Sequence, residues 1–432
     1  MILNAGTLVT MDDDRTVREE VHVITKDGAI VGIEDGFVTG SDVIDASESV
    51  VIPGLVDCHT HQYALGLRGA PIEASPRSFY EALTDIWWEV DVAFTERDAE
   101  LTALGSCIEM LESGVTTFCD NFSGPNTIDG GLSGVAAGVG TTPIRGTISF
   151  EATARDTVAD GMAGVGENRR FIREEEDDYE HVTGHYCLHT LFTNTPEIID
   201  ECVSSALEDD RPIQLHLSEG LVDVHDAIGE YGCRPVEALA ELGLFDARVI
   251  GAHCVHVTPE ELDVLADNDV GIAHNPYSNT NNAVGIADVE SMLKRDLTIG
   301  LGTDGWDPDL FETMRTAAGI HRLKDNDPSG FDPALALEWA TIGSAAVLGM
   351  DDAIGSIEPG KRADLVTLDL GPTPVRPDSA PGYVVSAGGT AVVERTIREG
   401  QVVYDTSNGV RGVTPADRNR ITEATRDLWE RL

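Results

Sequence analysis

Lysine is almost missing from this chain. Only Lys26, Lys294, Lys324 and Lys361 occur in 432 residues, and Lys+Arg total 29 against 76 Asp+Glu, a formal net charge of −47. No basic stripe is left to neutralise phosphates, so no nucleic-acid partner is expected. Long apolar runs are missing as well. No segment approaches the roughly 20 residues a membrane helix needs, so no membrane role is expected. The start, Met1-Ile2-Leu3-Asn4-Ala5-Gly6, lacks a basic n-region and an apolar signal core, which predicts a cytoplasmic protein. The cysteines (Cys58, Cys107, Cys119, Cys187, Cys202, Cys233 and Cys254) are odd in number and include no C-x-x-C pair. That pattern fits reduced thiols, and excludes a disulfide framework or a zinc knuckle. Internal repeats and low-complexity linkers are absent too.

The acidic residues are spread along the chain, with one denser run at Glu174-Glu175-Glu176-Asp177-Asp178. Most belong to solvated faces of ordinary elements. Repulsion on this scale opposes a compact state unless salt screens it. The composition resembles that of proteins from halophilic archaea and predicts a fold that needs concentrated salt.

With 432 residues, 41% of them hydrophobic, the chain can bury a large core and support an accessory domain. Residues 1–54 read as short strands with turns at Asp27-Gly28, Asp35-Gly36 and Gly40-Ser41. The stretch 355–410 reads the same way, with strands at Ala363–Leu368 and Gly400–Tyr404. These two ends are expected to form one small composite β-sandwich domain, followed by a C-terminal helix within 411–432. Between them, 55–354 alternates short apolar strands with helical segments, which predicts an α/β architecture of parallel βα units. Eight strand candidates end near His61, Asp120, Ile148, His189, His216, His253, His274 and Asp304. Helix signals separate them: Thr95 before an apolar stripe stopped by Gly114, and Thr258-Pro259-Glu260-Glu261 as a capping-box start. Eight such units imply a distorted TIM (β/α)8 barrel with its active site at the carboxyl ends of the strands.

Histidine is scarce, at 12 of 432 residues, yet five histidines fall at those strand ends. His59 and His61 lie two apart, so on an extended strand both imidazoles face one way. His216 adds a third nitrogen and Asp304, in Gly302-Thr303-Asp304-Gly305, an anionic oxygen. His59, His61, His216 and Asp304 are therefore the expected ligands of one divalent metal ion, zinc or iron, with a position left for water. Asp304 can also accept the proton of that water. Glu219, in His216-Leu217-Ser218-Glu219, is expected to shuttle a proton to a substrate nitrogen, and His253 to orient the water or the substrate oxygen. His189 is either a substrate contact or a backbone-satisfied buried histidine. His185 is expected to pack inside the fourth strand and His256 to lie in a loop. His22, His181, His225 and His321 are assigned to structure or surface.

Pro53-Gly54-Leu55-Val56-Asp57-Cys58-His59-Thr60-His61 resembles the first-strand signature of the amidohydrolase superfamily. His216-Leu217-Ser218-Glu219 is similar to the H-x-x-E of its deaminase and chlorohydrolase branch, which contains cytosine, guanine and S-adenosylhomocysteine deaminases and triazine hydrolases. Ala252-His253-Cys254-Val255-His256, Gly302-Thr303-Asp304-Gly305 and Gly360-Lys361-Arg362-Ala363-Asp364-Leu365 match further motifs, so the resemblance covers nearly the whole chain. Within the branch, Trp87-Trp88 with Asp91, the stretch Ser278–Gly285 and Asp309–Met314 look most like the SsnA-type aminohydrolases. Deaminases of adenosyl compounds usually differ after Ser278-Asn279, which weighs against an adenosine-type substrate. The resemblance implies one zinc or iron ion, Glu219 as proton shuttle, and His189 and Asp91 as substrate contacts. Some relatives bridge two ions with a carboxylated lysine on the fourth strand. No lysine lies between Lys26 and Lys294, so a single ion is expected.

The activity expected is hydrolytic deamination of an aminated nitrogen heterocycle of purine, pyrimidine, pterin or triazine type, with water activated at the ion. The substrate is thus a small molecule, and a homodimer is the expected assembly. A cyclic-amide or imidazolone-type ring hydrolase, and a non-catalytic scaffold, are the alternatives.

Overall fold

The computed structural model describes residues Met1–Leu432. Eight parallel strands form the central sheet: Leu55–Thr60, Val115–Phe122, Arg145–Ala152, a split fourth strand (Val182–Gly184 and Tyr186–Leu188), Ile213–Leu217, Val249–His253, Gly271–His274 and Ile299–Leu301. The strands are buried on both faces; every residue of Leu55–Thr60, Ile213–Leu217 and Val249–His253 is buried. Such runs suit parallel strands covered by helices outside and side chains inside. The eighth strand meets the first through a bridge between Thr60 and Asp304, with Asp304 N donating to His59 O at 2.9 Å and His61 N to Asp304 O at 3.2 Å. This closure brings Asp304 against the two first-strand histidines. Gly302 permits it, because a Cβ there would stand 2.7 Å from His59 O and 2.3 Å from Asn275 Oδ1.

Helices begin where the capping signals place them. Thr95 and Asp98 cap Glu96–Glu112 reciprocally, and Thr258 and Glu261 do the same for Pro259–Asp267. The first of these helices stops before Gly114, whose φ of 89° lies in the left-handed region that glycine tolerates.

Strands from both chain ends build a second, mixed sheet of eight: Ile2–Val9, Val17–Lys26, Ala29–Asp35 and Val43–Pro53 from the N-terminal side, then Leu365–Leu368, Val393–Arg398, Gln401–Asp405 and Gly409–Val410. Leu365–Leu368 pairs antiparallel with the end of Val43–Pro53 and so joins the two halves. Gly54 alone separates that sheet from the first barrel strand; a Cβ there would fall 2.3 Å from Thr116 Oγ1. Arg145, at the start of the third barrel strand, ties the two sheets together through Asp364 at 2.7 Å and Glu399 at 3.1 Å. The final helix, Pro415–Trp429, lies on Glu96–Glu112, with Arg420 reaching Glu100 and Arg418 reaching Glu112.

Two strands differ from the sequence expectation. The third runs four residues past Ile148, because Ser149 and Glu151 are polar and interrupt the apolar pattern, yet both are buried. The fourth breaks at His185, whose side chain lies fully buried beside Cys119 and Asn121 Oδ1.

Candidate metal centre and active site

His59, His61, His216 and Asp304 converge at the carboxyl ends of the first, fifth and eighth strands. One ligand atom from each lies within 4.8 Å of all the others. The ring tautomers follow from their partners. His59 Nδ1 donates to Gln214 Oε1 at 2.8 Å, His61 Nδ1 to Asn121 O at 2.7 Å, and His216 Nδ1 to His189 O at 2.9 Å. Each ring therefore turns Nε2 inward, with its lone pair free for a ligand bond. His59 Nε2 is buried with no hydrogen-bond partner, and the Nε2 atoms of His61 and His216 stand 3.1 Å apart. At that distance either one nitrogen carries a proton or both lone pairs face a shared cation. Asp304 Oδ1 completes the set at 3.2 Å from His61 Nε2 and 3.8 Å from His59 Nε2. A His₃Asp donor set of this kind fits zinc or iron.

The electrostatics agree. Burial, reinforced by the neighbouring imidazoles, holds His59 well below the usual histidine range and His216 at about 3. Burial lowers His61 too, but its hydrogen bond to Asp304 and the Glu151 charge outweigh it and raise the ring to about 10. The cluster thus calls for one positive charge between His61 and Asp304, a role a proton or a metal ion can fill.

Glu219 and His253 stand beside this set. His253 Nδ1 donates to Asn279 Oδ1 at 2.8 Å, leaving a buried, unpartnered Nε2 3.6 Å from Glu219 Oε2 and 3.7 Å from Asp304 Oδ2. Burial, with Asp304 and Asp223 nearby, pushes Glu219 well above the carboxylate range. Burial would raise Asp304 also, but its bond to His61 and the field of the histidines hold it well below that range. Two neighbouring carboxyls are thereby driven apart, one toward a protonated acid and one toward an anion. Ser278 Oγ donates to Asp304 Oδ2, and Gly305 N to Oδ1 at 2.7 Å. Ser218, His253 and Asp304 all have positive φ, at 49°, 73° and 58°. Strained backbone at three positions in one site marks side chains held where local preference would not put them.

A cavity above the cluster is lined by His61, Trp88, Asp91, Glu151, His189, Glu219 and Asp304, among others. His189 Nδ1 is engaged by Thr193 Oγ1 at 2.9 Å, which leaves Nε2 as its free nitrogen. Asp91 is 2% exposed. Its Oδ2 accepts from Ser123 Oγ at 2.7 Å and from Arg155 Nη2 at 2.9 Å, while Oδ1 has no partner. Arg155 in turn lies 4.9 Å from the ring centre of Trp88. The structure thus brings together His59, His61, Asp91, His189, His216, Glu219, His253 and Asp304. His274, although at a strand end, pairs instead with His321 at 3.0 Å, beside Trp339 and Phe331. His256 is half-buried and bonds Val284 O at 2.8 Å.

Sequence reasoning missed the supports. Gln214 precedes His216 by two and so shares its face; Asn121 follows the same alternation on the second strand. Asn121 Nδ2 also reaches Gln214 Oε1 at 2.6 Å. Asp57 binds Thr303 Oγ1 at 2.5 Å and Thr303 N at 3.1 Å, locking the first strand to the eighth. Glu151, also missed, faces the cavity from the third strand. Period-two alternation could have found Gln214 and Glu151.

Residues 50–403 match the model of the amidohydrolase family. The chain belongs to that family. It is 34% identical over 414 residues to a 5-methylthioadenosine/S-adenosylhomocysteine deaminase of Desulforudis audaxviator, covering 94% of this chain and 93% of that one. A protein of the same name from Haloarcula marismortui is 33% identical, covering 100% and 99%. Among solved structures, an adenosine deaminase from Xanthomonas campestris with bound zinc superposes with a TM-score of 0.87 at 25% identity, covering 100% and 98%. An atrazine chlorohydrolase from Arthrobacter aurescens complexed with zinc shares the fold, with a TM-score of 0.85 at 23% identity, covering 99% of each chain.

Proposed function

We propose that this amidohydrolase hydrolytically deaminates an aminated nitrogen heterocycle. One observation carries the reading: a buried His₃Asp set with inward Nε2 atoms, flanked by the buried carboxyl of Glu219, which burial shifts toward its protonated form. His59, His61, His216 and Asp304 would hold a single divalent ion, zinc by preference. When bound, such an ion polarises water and brings its pKa to about 7.

The chain's own groups supply the rest. Glu219, in its protonated form, donates to a ring nitrogen and makes the amine-bearing carbon electrophilic. His253 and Asp304 orient the attacking water, and Asp304 accepts its proton. Attack at that carbon gives a tetrahedral intermediate; it collapses to the carbonyl as the amine leaves as ammonia with the proton Asp304 had taken, the ring nitrogen keeps the proton from Glu219, and the hydroxyl proton returns to Glu219. Trp88 and His189 flank the substrate, and Asp91 offers Oδ1 to a donor on it. Both the H-x-x-E carboxyl and the relatives named as deaminases favour amine loss over ring opening.

A panel of aminated purines, pyrimidines, pterins and triazines, assayed for ammonia, tests this. At least one ring is expected to release ammonia. A ring-opened product without ammonia would favour cyclic-amide hydrolysis instead.

Two features concern the setting. No helix is long and apolar enough to cross a membrane, and the cysteines are all free, six of them buried; free thiols suit a reducing cytoplasm. The net charge of −47 supports adaptation to high salt. The melting temperature is accordingly expected to rise between low and molar salt, because screening relieves carboxylate repulsion. An unchanged melting temperature would refute that adaptation.

A further inference from the structure

One buried carboxylate in the site has no task in the reaction above. Glu151 projects from the end of the third barrel strand, is 3% exposed, and lines the same cavity as Trp88, His189 and Glu219. Its Oε1 is sealed from solvent and meets no hydrogen-bond donor. The nearest ring nitrogens are His61 Nδ1 at 3.6 Å and His216 Nε2 at 3.8 Å, both beyond hydrogen-bond range. Both are also committed elsewhere: His61 Nδ1 to Asn121 O, His216 Nε2 to the ligand cluster. The neighbouring guanidinium, Arg155, is taken up by Asp91 and Ser123. Glu151 itself belongs to neither group of potential metal ligands. Close by, Asp91 Oδ1 is a second buried acceptor without a donor.

Burying an acceptor with nothing to donate to it is costly, and a native fold tolerates it where a ligand brings the donor. Two such acceptors on one cavity describe a substrate rich in N–H groups.

We propose that Glu151 selects the substrate by accepting a hydrogen bond from a second N–H of the ring, distinct from the departing amine. This rests on the deaminase reading and narrows its substrate class. The ring carries a further donor, such as a lactam N–H, a second amino group or a protonated ring nitrogen, on the edge that faces the third strand. A methyl group in place of that hydrogen leaves the carboxylate unpaired, so the site discriminates more sharply than a purely apolar pocket could.

The test uses pairs of rings from the ammonia-releasing set that differ only by N–H against N–CH₃. The parent protein is expected to favour the N–H ring by about 10- to 100-fold in kcat/KM, the range for one hydrogen bond to a charged group. In Glu151→Leu that ratio falls toward unity, carried mainly by KM. In Glu151→Gln, which keeps one acceptor oxygen in the same shape, it is intermediate. Metal content is measured alongside. A ratio in either variant equal to the parent's would mean that Glu151 holds only a trapped water, and would overturn the inference. Loss of metal from Glu151→Gln would overturn it too, by assigning the residue to the ligand cluster. Absence of ammonia release from every ring by the parent protein would sink the deaminase reading itself.

Discussion

Glu219→Gln is expected to slow ammonia release by about 10²- to 10⁴-fold, the range for loss of a positioned general acid, while keeping the metal. The substitution is nearly isosteric. Glutamine is also neutral, as the protonated acid is, so the fold and the charge facing Asp304 change little. What is lost is the proton. Burial beside Asp304 and Asp223 shifts Glu219 toward its protonated form, and His253 Nε2 at 3.6 Å faces its Oε2. Glutamine can still hydrogen-bond a ring nitrogen but cannot give a proton to it. Elemental analysis and an ammonia assay on one preparation check both halves. A Gln variant with the parent's rate would remove Glu219 from the mechanism.

His216→Ala is expected to lose both metal and activity, the latter to the assay background. Its Nε2 faces that of His61 at 3.1 Å, and its Nδ1 is a donor to His189 O. Alanine removes one of four ligands, while His189 O keeps the backbone N–H of residue 216 as a donor at 3.0 Å. Ligand count and geometry decide metal affinity, so a three-ligand remnant binds weakly. The contrast between the two variants matters more than either alone. If His216→Ala kept a full complement of metal, the ion would be held by some other set of residues.

Much of this site was legible because chemistry and strand period coincide. His59 and His61 occupy alternate positions at the end of a mostly apolar run, and scarce histidines recur at the ends of further runs. The barrel was legible for the same reason: its strands are short, apolar and spaced by capped helices at Thr95 and Thr258. The residues that orient the histidines were not. Gln214 and Asn121 are polar groups inside strands, and in a one-dimensional pattern they read as breaks in the apolar run. Only the closed barrel turns that interruption into an inward-facing residue with a partner across the interior. The long-range bond of Gln214 to His59, 155 positions apart, is invisible to any local period. Asp57 shows the same limit. It reads as part of a motif, but its task is to clamp Thr303 from the far end of the barrel. His274 is the opposite case. It satisfies the strand-end rule yet pairs with a helix histidine, because side chains alternate and the rule does not say which face a final residue takes.

The most direct test is the metal content of the purified parent protein, with ammonia release followed on the same sample before and after chelation. About one divalent ion per chain is predicted for a four-ligand site, with activity lost on its removal and regained on its return. Protein free of metal yet fully active would contradict the account.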